Sequence, residues 1–254
     1  MDVKECAIKA AMKAGALLKD RFGAPGKVSS KGDEGVVTEL DLASDRLIRD
    51  EIESAFPDHG ILSEESPEKK GSSPGRWIID PLDGTTNYSH SFPHFAVSIA
   101  FEDSGKVTFG VVYDPMRDEL FSAEYGKGAF LNGQKIEVSA VKGLGGSLIA
   151  LDFPHSLASP GSSVLTSFAS LQRKVHALRK AGSAALELCY VAAGRLDGYW
   201  SSRFHAWDAA AGALILEEAG GRITDLLGGP FTLLSGKCVA TNGLIHENIV
   251  KAIS

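Results

Sequence analysis

The sequence predicts a layered α/β protein (α+β layered) in which helices cover mixed β-sheets, and three stretches carry that prediction. Residues up to Ala55 hold two segments of helical period, and Phe95 to Tyr125 is a series of short β-rich runs broken by turn residues. After about Gly145, strand-like and helix-like segments alternate. No low-complexity linker or fixed-period repeat interrupts the chain, and Gly143-Leu144-Gly145-Gly146 is the best internal boundary by composition. The expected organisation is one unit over 1–254, with approximate subdomains 1–145 and 146–254.

Each element has its own warrant. Asp2 can cap an Ala-rich segment that runs to about Arg21, where Gly23-Ala24-Pro25-Gly26 ends it. A polar loop is expected from Lys27 to Gly35, then a helix from Asp41 to Ala55 whose apolar face is Leu42, Leu47, Ile48, Ile52 and Ala55. Trp77 to Ile79 is a short apolar strand, and Pro81 with Asp83-Gly84 supplies turn chemistry, so Asp80 is expected at the strand's carboxyl end. Phe95 to Tyr125 contains Val-Ser-Ile-Ala-Phe, Val-Thr-Phe-Gly-Val-Val-Tyr and Glu-Leu-Phe-Ser-Ala, read as antiparallel strands in series. The alternating half is read as Ser147 to Leu151, Ser162 to Leu171, Val175 to Leu178, Ala184 to Ala193, Gly198 to Trp200, Asp208 to Ala219 and Lys237 to Ala240.

Composition narrows the class. With 254 residues, 44% hydrophobic and 23% charged, the chain is long enough for a sizeable core. A net charge of -6 leaves no electrostatic footprint for nucleic acid or an anionic membrane, so neither is expected as a partner. Cys6, Cys189 and Cys238 are odd in number and far apart, which reads as buried thiols rather than a disulfide framework or metal knuckle. No apolar run reaches the roughly 18 residues of a membrane span, and the N-terminus has no apolar signal core. A cytoplasmic protein is expected.

Chemistry concentrates at Trp77-Ile78-Ile79-Asp80-Pro81-Leu82-Asp83-Gly84-Thr85-Thr86-Asn87. Two carboxylates this close repel unless a cation neutralises them, and a divalent ion is the usual solution. If Gly84 and Thr85 begin a helical turn, their N–H groups offer an adjoining anion site. Taken alone, the same segment reads equally well as a capped turn, with Asp83 as N-cap. Asp208 likewise can cap the helix that follows it. Glu64, Asp80, Asp83 and Asp208 offer oxygen only, which selects a hard cation such as Mg²⁺ over Zn²⁺. His90 and His94 have i,i+4 spacing, but Pro93 between them argues against a helical zinc pair. His205 lies near Asp208 and is within reach of the pocket, and a surface or supporting placement is the preferred reading. No Gly-x-Ser-x-Gly elbow accompanies a triad, so water is the better nucleophile.

From Trp77 to Tyr88 the sequence resembles the first signature of the inositol monophosphatase family, Trp-Ile-Ile-Asp-Pro-Leu/Ile-Asp-Gly-Thr-x-Asn-Phe/Tyr, at every position. Trp207-Asp208-Ala209-Ala210-Ala211-Gly212 is similar to the second signature, Trp-Asp-x-Ala-Ala-Gly, and Glu64-Glu65-Ser66 to the acidic pair that precedes the first. Val37-Thr38-Glu39-Leu40-Asp41 and Gly220-Gly221-Arg222-Ile223-Thr224-Asp225 extend the resemblance over essentially the whole chain. The resemblance implies the αβαβα sandwich shared with fructose bisphosphatases, a magnesium-dependent phosphomonoesterase of small phosphorylated metabolites, two or three Mg²⁺ ions, lithium sensitivity and a homodimer.

It also implies roles. Glu64, Asp80 and the Leu82 carbonyl match the ligands of a first metal; Asp80, Asp83 and Asp208 match those of a second, and a third, weaker ion sits near Glu64. Glu64 and Thr85 match the groups that orient the attacking water, with Asp41 partnering the threonine hydroxyl; Glu65 is read as a supporting or solvated neighbour. Asp83, Gly84, Thr85, Gly182, Ser183, Ala184 and Asp208 match the substrate pocket, and Lys31 and Asp33 a mobile loop beside the metals. Inositol-selective animal members carry a glutamate seven residues before the second signature's aspartate; here that residue is Ser201, which weakens strict inositol selectivity. Arg203 is placed to reach a second anionic group, making a sugar bisphosphate credible beside inositol monophosphate. Histidinol phosphate is the alternative substrate. Thr86-Asn87-Tyr88 replaces the Lys-Glu-Phe of 3′-phosphoadenosine 5′-phosphate phosphatases, which makes that reading minor. A non-catalytic regulatory protein on the same fold is the alternative of another class, and the intact acid set argues against it.

Overall fold

The computed structural model describes residues 1–32, 35–153 and 162–253, so Asp33 lies outside the described residues. Helix α1 (Val3–Asp20) starts as expected: the Asp2 carboxylate accepts the Glu5 N–H at 2.8 Å and Glu5 accepts the Asp2 N–H at 3.2 Å. The polar stretch after it is not wholly loop. Strand β1 (Val28–Ser30), exposed throughout, pairs antiparallel with β2 (Val36–Thr38). Helix α2 (Glu39–Ala55) begins two residues before Asp41 because Thr38 caps it, and the Asp41 side chain accepts the Thr38 N–H at 2.8 Å in return.

A seven-stranded sheet follows, in spatial order β3 (Gly60–Ser63), β4 (Gly75–Asp83), β5 (Ala96–Asp103), β6 (Lys106–Asp114), β7 (Glu119–Glu124), β8 (Ala129–Leu131) and β9 (Gln134–Ile136). Only β3 and β4 run parallel; the rest form an antiparallel meander, as the turn punctuation predicts. Strand β4 runs past Asp80 to Asp83, beyond the expected end, and its register on β5 shifts between those two residues. Helix α3 (Thr85–Ser89) leaves it at once, through Gly84 at φ +95°.

Beyond a 3₁₀ turn at Leu144–Gly146, the chain alternates β10 (Leu148–Asp152), α4 (Ser163–Gln172), β11 (Ala177–Arg179), α5 (Ala184–Ala192), β12 (Gly198–Ser201) and α6 (Ala206–Glu218). Strands β13 (Arg222–Thr224) and β14 (Cys238–Thr241) and helix α7 (His246–Ile253) complete it. The second sheet has the order β11-β10-β12-β14-β13, with β10 parallel to both its neighbours and β14 antiparallel to both of its own. Helix α6 starts at Ala206, ahead of Asp208, which corrects the reading of Asp208 as an N-cap.

Three apolar clusters stack these elements. Helices α1 and α2 cover one face of the seven-stranded sheet, α5 and α6 fill the space between the sheets, and α4 and α7 cover the far side of the second sheet. This is the αβαβα sandwich. The middle helices must be apolar all round because sheets flank them on both sides, and Ala209 to Leu216 are all buried. The three cysteines are free and buried. Among the described residues, no helix is long and apolar enough to cross a membrane.

Candidate active site

The shifted end of β4 builds the centre of the site. Where its register slips, the Asp80 carboxylate turns back to accept the Leu82 N–H at 3.0 Å, and the Pro81 carbonyl accepts the Ser44 hydroxyl of α2 at 2.7 Å. Gly84 is required at the corner: a Cβ there would stand 3.0 Å from the His94 carbonyl oxygen and 3.2 Å from that of Gly182. Next in the chain, the Thr85 hydroxyl lies 2.8 Å from Asp41 and 3.0 Å from the Leu82 carbonyl. Asp41 is buried beneath it and accepts Thr38 through its other oxygen, so a capping box of α2 also anchors Thr85. Burial raises the Asp41 pKa, against the hydrogen bonds from Thr38 and Thr85.

The other half of the chain reaches the same place. Asp83 Oδ2 accepts the Ser183 hydroxyl at 2.5 Å and the Ala185 N–H at 2.9 Å, which ties β4 to the start of α5. The turn before α5 is held from two sides. Glu187 Oε1 accepts the Ala181 and Gly182 N–H groups, while the Asn87 amide donates to the Ala181 carbonyl at 2.8 Å. Asp208 lies in the first turn of α6, where its Oδ2 accepts the His205 N–H at 2.7 Å. Glu64 follows β3, fixed by its own N–H to the Ile79 carbonyl, and Lys31 Nζ bridges Glu64 at 2.9 Å and Glu65 at 2.5 Å.

A cleft of about 330 Å³ opens over these groups. Glu64, Asp80, Leu82, Asp83, Gly84 and Thr85 line it from one side. Gly182, Ala184, Arg203, Asp208 and Lys31 complete the expected set in its wall. Asp41 and Ser183 stand behind the wall, acting on it through Thr85 and Asp83. One expectation needs correction, one is narrowed, and one residue is new. His205 is in the wall itself, stacked on Trp207 at 4.8 Å and 17°. Of the two readings of Glu65, supporting or solvated, the structure agrees with the first: its side chain is 4% exposed and paired with the Lys31 that also holds Glu64. Asp152, which no sequence motif singles out, also lines the cleft. Its signal is tertiary, since β10 and β12 must first be known to pair.

The electrostatics follow from crowding acids in a buried place. Burial raises the pKa of Asp83 to about 7, against the pull of Ser183 and Ala185. Asp80 is pushed well up by burial and then by Glu64, Asp83 and Asp208; Asp208 is pushed well up by burial and then by Asp83. Glu65 rises to about 7 by burial in spite of Lys31. Burial works against the Lys31 charge, but the two glutamates outweigh it and raise its pKa. Among the described residues, no three His, Cys, Asp or Glu side chains converge as a ready-made metal cage. The donor set nonetheless fits a hard divalent cation: it is all oxygen, buried at Asp80 and Asp83 and half-buried at Glu64 and Asp208, and mutually repelling, and Lys31 is the cation paired to Glu64.

The chain matches known proteins over nearly its full length. The inositol monophosphatase family profile matches residues 1–254. A protein of Rhizobium meliloti (strain 1021) named inositol-1-monophosphatase is 43% identical over 249 residues, 97% of this chain and 92% of that one. Nus factor SuhB of Escherichia coli (strain K12) is 42% identical over 250 residues, again 97% and 92%. The crystal structure of extragenic suppressor protein suhB from Bartonella henselae has a TM-score of 0.95 at 42% identity, covering 99% of this chain and 98% of its own. Matched along its full length in sequence and in fold, the chain belongs to the inositol monophosphatase family.

Proposed function

We propose that the protein is a magnesium-dependent phosphomonoesterase acting on a small phosphorylated metabolite, inositol monophosphate or a sugar (bis)phosphate, with 1–254 acting as one catalytic unit. The observation that carries this reading is that Glu64, Asp80, Asp83 and Asp208 all line one cleft, beside the Thr85–Asp41 pair. Glu64, Asp80, Asp83, Asp208 and the Leu82 carbonyl are the groups that would hold two or three Mg²⁺ ions. When bound, such ions supply Lewis-acid charge to phosphate oxygens and make water more acidic.

The chain's own residues do the rest. The single Thr85 hydroxyl proton is directed to Asp41 or the Leu82 carbonyl, so Thr85 Oγ1 is left as an acceptor for a water. That water, accepted by Thr85 and by Glu64, is held with a lone pair toward phosphorus. The Gly84–Thr85 backbone provides N–H donors for the phosphate, and Asp83 is kept in place by Ser183 and Ala185. Arg203 has no carboxylate partner among the described residues and stands in the cleft wall, which favours a substrate with a second anionic group. Histidinol phosphate is the alternative within the same chemistry, and 3′-phosphoadenosine 5′-phosphate a lesser one.

The test is phosphate release from inositol 1-phosphate, fructose 1,6-bisphosphate, histidinol phosphate and 3′-phosphoadenosine 5′-phosphate, with magnesium and with chelator. Chelator-sensitive turnover favouring an inositol or sugar phosphate is expected, with inhibition by lithium. Silence of the folded, magnesium-supplied protein across the panel overturns the reading. A relative named as a Nus factor favours a second reading, an interaction role on the same fold, and that silence would leave it in first place. A homodimer in the cytoplasm is the expected setting, and light scattering of purified protein checks the assembly.

A further inference from the structure

We infer that Asp152 reads the hydroxyl groups of the leaving group, filling from the neighbouring strand the role left open by Ser201. The inference rests on the phosphomonoesterase reading and deepens it. Three observations meet at this residue. Asp152 ends β10 and Ser201 ends β12, and in the parallel pairing of these strands the two residues are direct partners. Registered neighbours in a sheet share a face and lie about 4.8 Å apart, so a carboxylate at 152 serves nearly the space of one at 201. Ser201 itself is withdrawn. It is fully buried, and its hydroxyl is spent on the Arg203 backbone, donating to the carbonyl at 2.9 Å and accepting the N–H at 3.3 Å.

The topology makes the same position a binding crevice. The chain runs from β10 to β11 on one side, then crosses to β12 on the other, so the sheet reverses its winding between β10 and β12. Ligands of open α/β sheets bind outside the carboxyl ends of strands at such a reversal. Asp152 stands there, in the wall of the cleft that holds Asp83, Thr85 and Asp208. It is also prepared for the task. Lys180 Nζ lies 2.5 Å from Oδ1 and 2.9 Å from the Phe153 carbonyl, which anchors the carboxylate in place. Oδ2 has no protein partner among the described residues, and the side chain is 36% exposed. An ion-paired acceptor with an open oxygen, anchored from behind, suits the hydroxyls of a polyol phosphate.

The test compares hydroxyl-rich and hydroxyl-free leaving groups. kcat/KM is measured with magnesium for inositol 1-phosphate, fructose 1,6-bisphosphate and phenyl phosphate, in the wild type, Asp152→Ala and the near-isosteric Asp152→Asn. The preference for the better polyol phosphate over phenyl phosphate is expected to fall about tenfold in Asp152→Ala, mainly through KM. It should fall less in Asp152→Asn, whose amide oxygen still accepts. A preference within about twofold of wild type in both variants overturns the inference and leaves the phosphatase reading standing, since a structural ion pair would affect all three substrates alike. No turnover of either polyol phosphate by the wild type overturns this inference, and the phosphatase reading falls with it only if histidinol phosphate and 3′-phosphoadenosine 5′-phosphate are left intact as well.

Discussion

Asp83 joins the two halves of the site in one side chain. Its carboxylate is 8% exposed and carries three duties: it accepts Ser183 and Ala185 from α5, it raises its acidic neighbours, and it faces the cleft. Asp83→Asn separates these duties, because the amide oxygen still accepts both α5 donors while the charge is gone. Turnover at saturating magnesium is expected to fall by about a hundredfold or more, since charge aimed at the reacting centre contributes more to catalysis in such sites than any other single effect. Stability in chelator should hold or rise, because one member of a buried, repelling set has been neutralised. Steady-state kinetics with magnesium and urea midpoints in chelator check the two halves of this prediction. Near-normal turnover would remove Asp83 from the chemistry. Much of this site was legible from the chain: the Trp77–Tyr88 run and Trp207-Asp208 name Asp80, Asp83, Thr85 and Asp208. Asp152 was not, because it lies far from both runs in sequence and meets Ser201 only once β10 and β12 are paired.

Among the elements, legibility followed length and punctuation. Helices α1 and α2 showed themselves because a capping box starts each and an apolar face repeats along it. Strands β5, β6 and β7 did so because Gly and Asp-Pro turns separate them. Strands β1, β8, β9 and β13 have three residues each, too few to show a period, and they exist because a neighbour supplies hydrogen bonds. Helix α7 lacked a cap next to its start: Asn242 serves from farther back, its side chain accepting the Leu244 and Ile245 N–H groups. The packing of α6 on α5 was equally hidden, and it yields a prediction. At Gly212 a Cβ would stand 2.8 Å from the Cβ and Cδ1 of Leu188. Alanine normally favours a helix interior over glycine by about 1 kcal/mol. Here Gly212→Ala should instead destabilise the protein by about 1–3 kcal/mol, the usual cost of overpacking, because Leu188 is buried and its Cβ cannot swing away. Denaturant midpoints decide the sign. A more stable variant would mean that α5 yields freely, and with it the Ser183 and Ala185 contacts to Asp83.

For the molecule as a whole, acid stability sets buried histidines against buried carboxylates. His246 is fully buried between α7 and the second sheet, bonded to Thr224 through Nε2 and to Thr241 through Nδ1, each at 2.9 Å. The Thr224 hydroxyl donates to the Asp225 carbonyl, so its oxygen must accept Nε2–H. Nδ1 is then the acceptor for Thr241, and a second ring proton there would force the Thr241 hydroxyl to give up that bond and turn its own proton elsewhere. Burial, then the Arg222 charge, lowers the His246 pKa to about 4, and burial with Arg117 does the same to His94. Both folded values lie below the ordinary 6.5, so the unfolded chain takes up these protons first as pH falls. Their contribution is complete above about pH 6.5 and is lost on the way down to about 4. Glu65, raised to about 7, works the other way: the folded state binds its proton first, and stability is gained as pH falls below 7. The net curve therefore mixes opposite signs, and a variant is needed to separate them. His246→Gln keeps a donor and an acceptor but cannot titrate, while every carboxylate remains common to both proteins. The stability advantage of wild type over His246→Gln should be constant above about pH 7. It should shrink between about 6.5 and 4, by an amount approaching about 3 kcal/mol at the acid end. Urea midpoints at pH 8, 6, 5 and 4 in chelator measure it. A difference that stays level across that range would mean that His246 is protonated in the folded protein as readily as in the unfolded chain, and that the Thr224–His246–Thr241 bridge tolerates the charge.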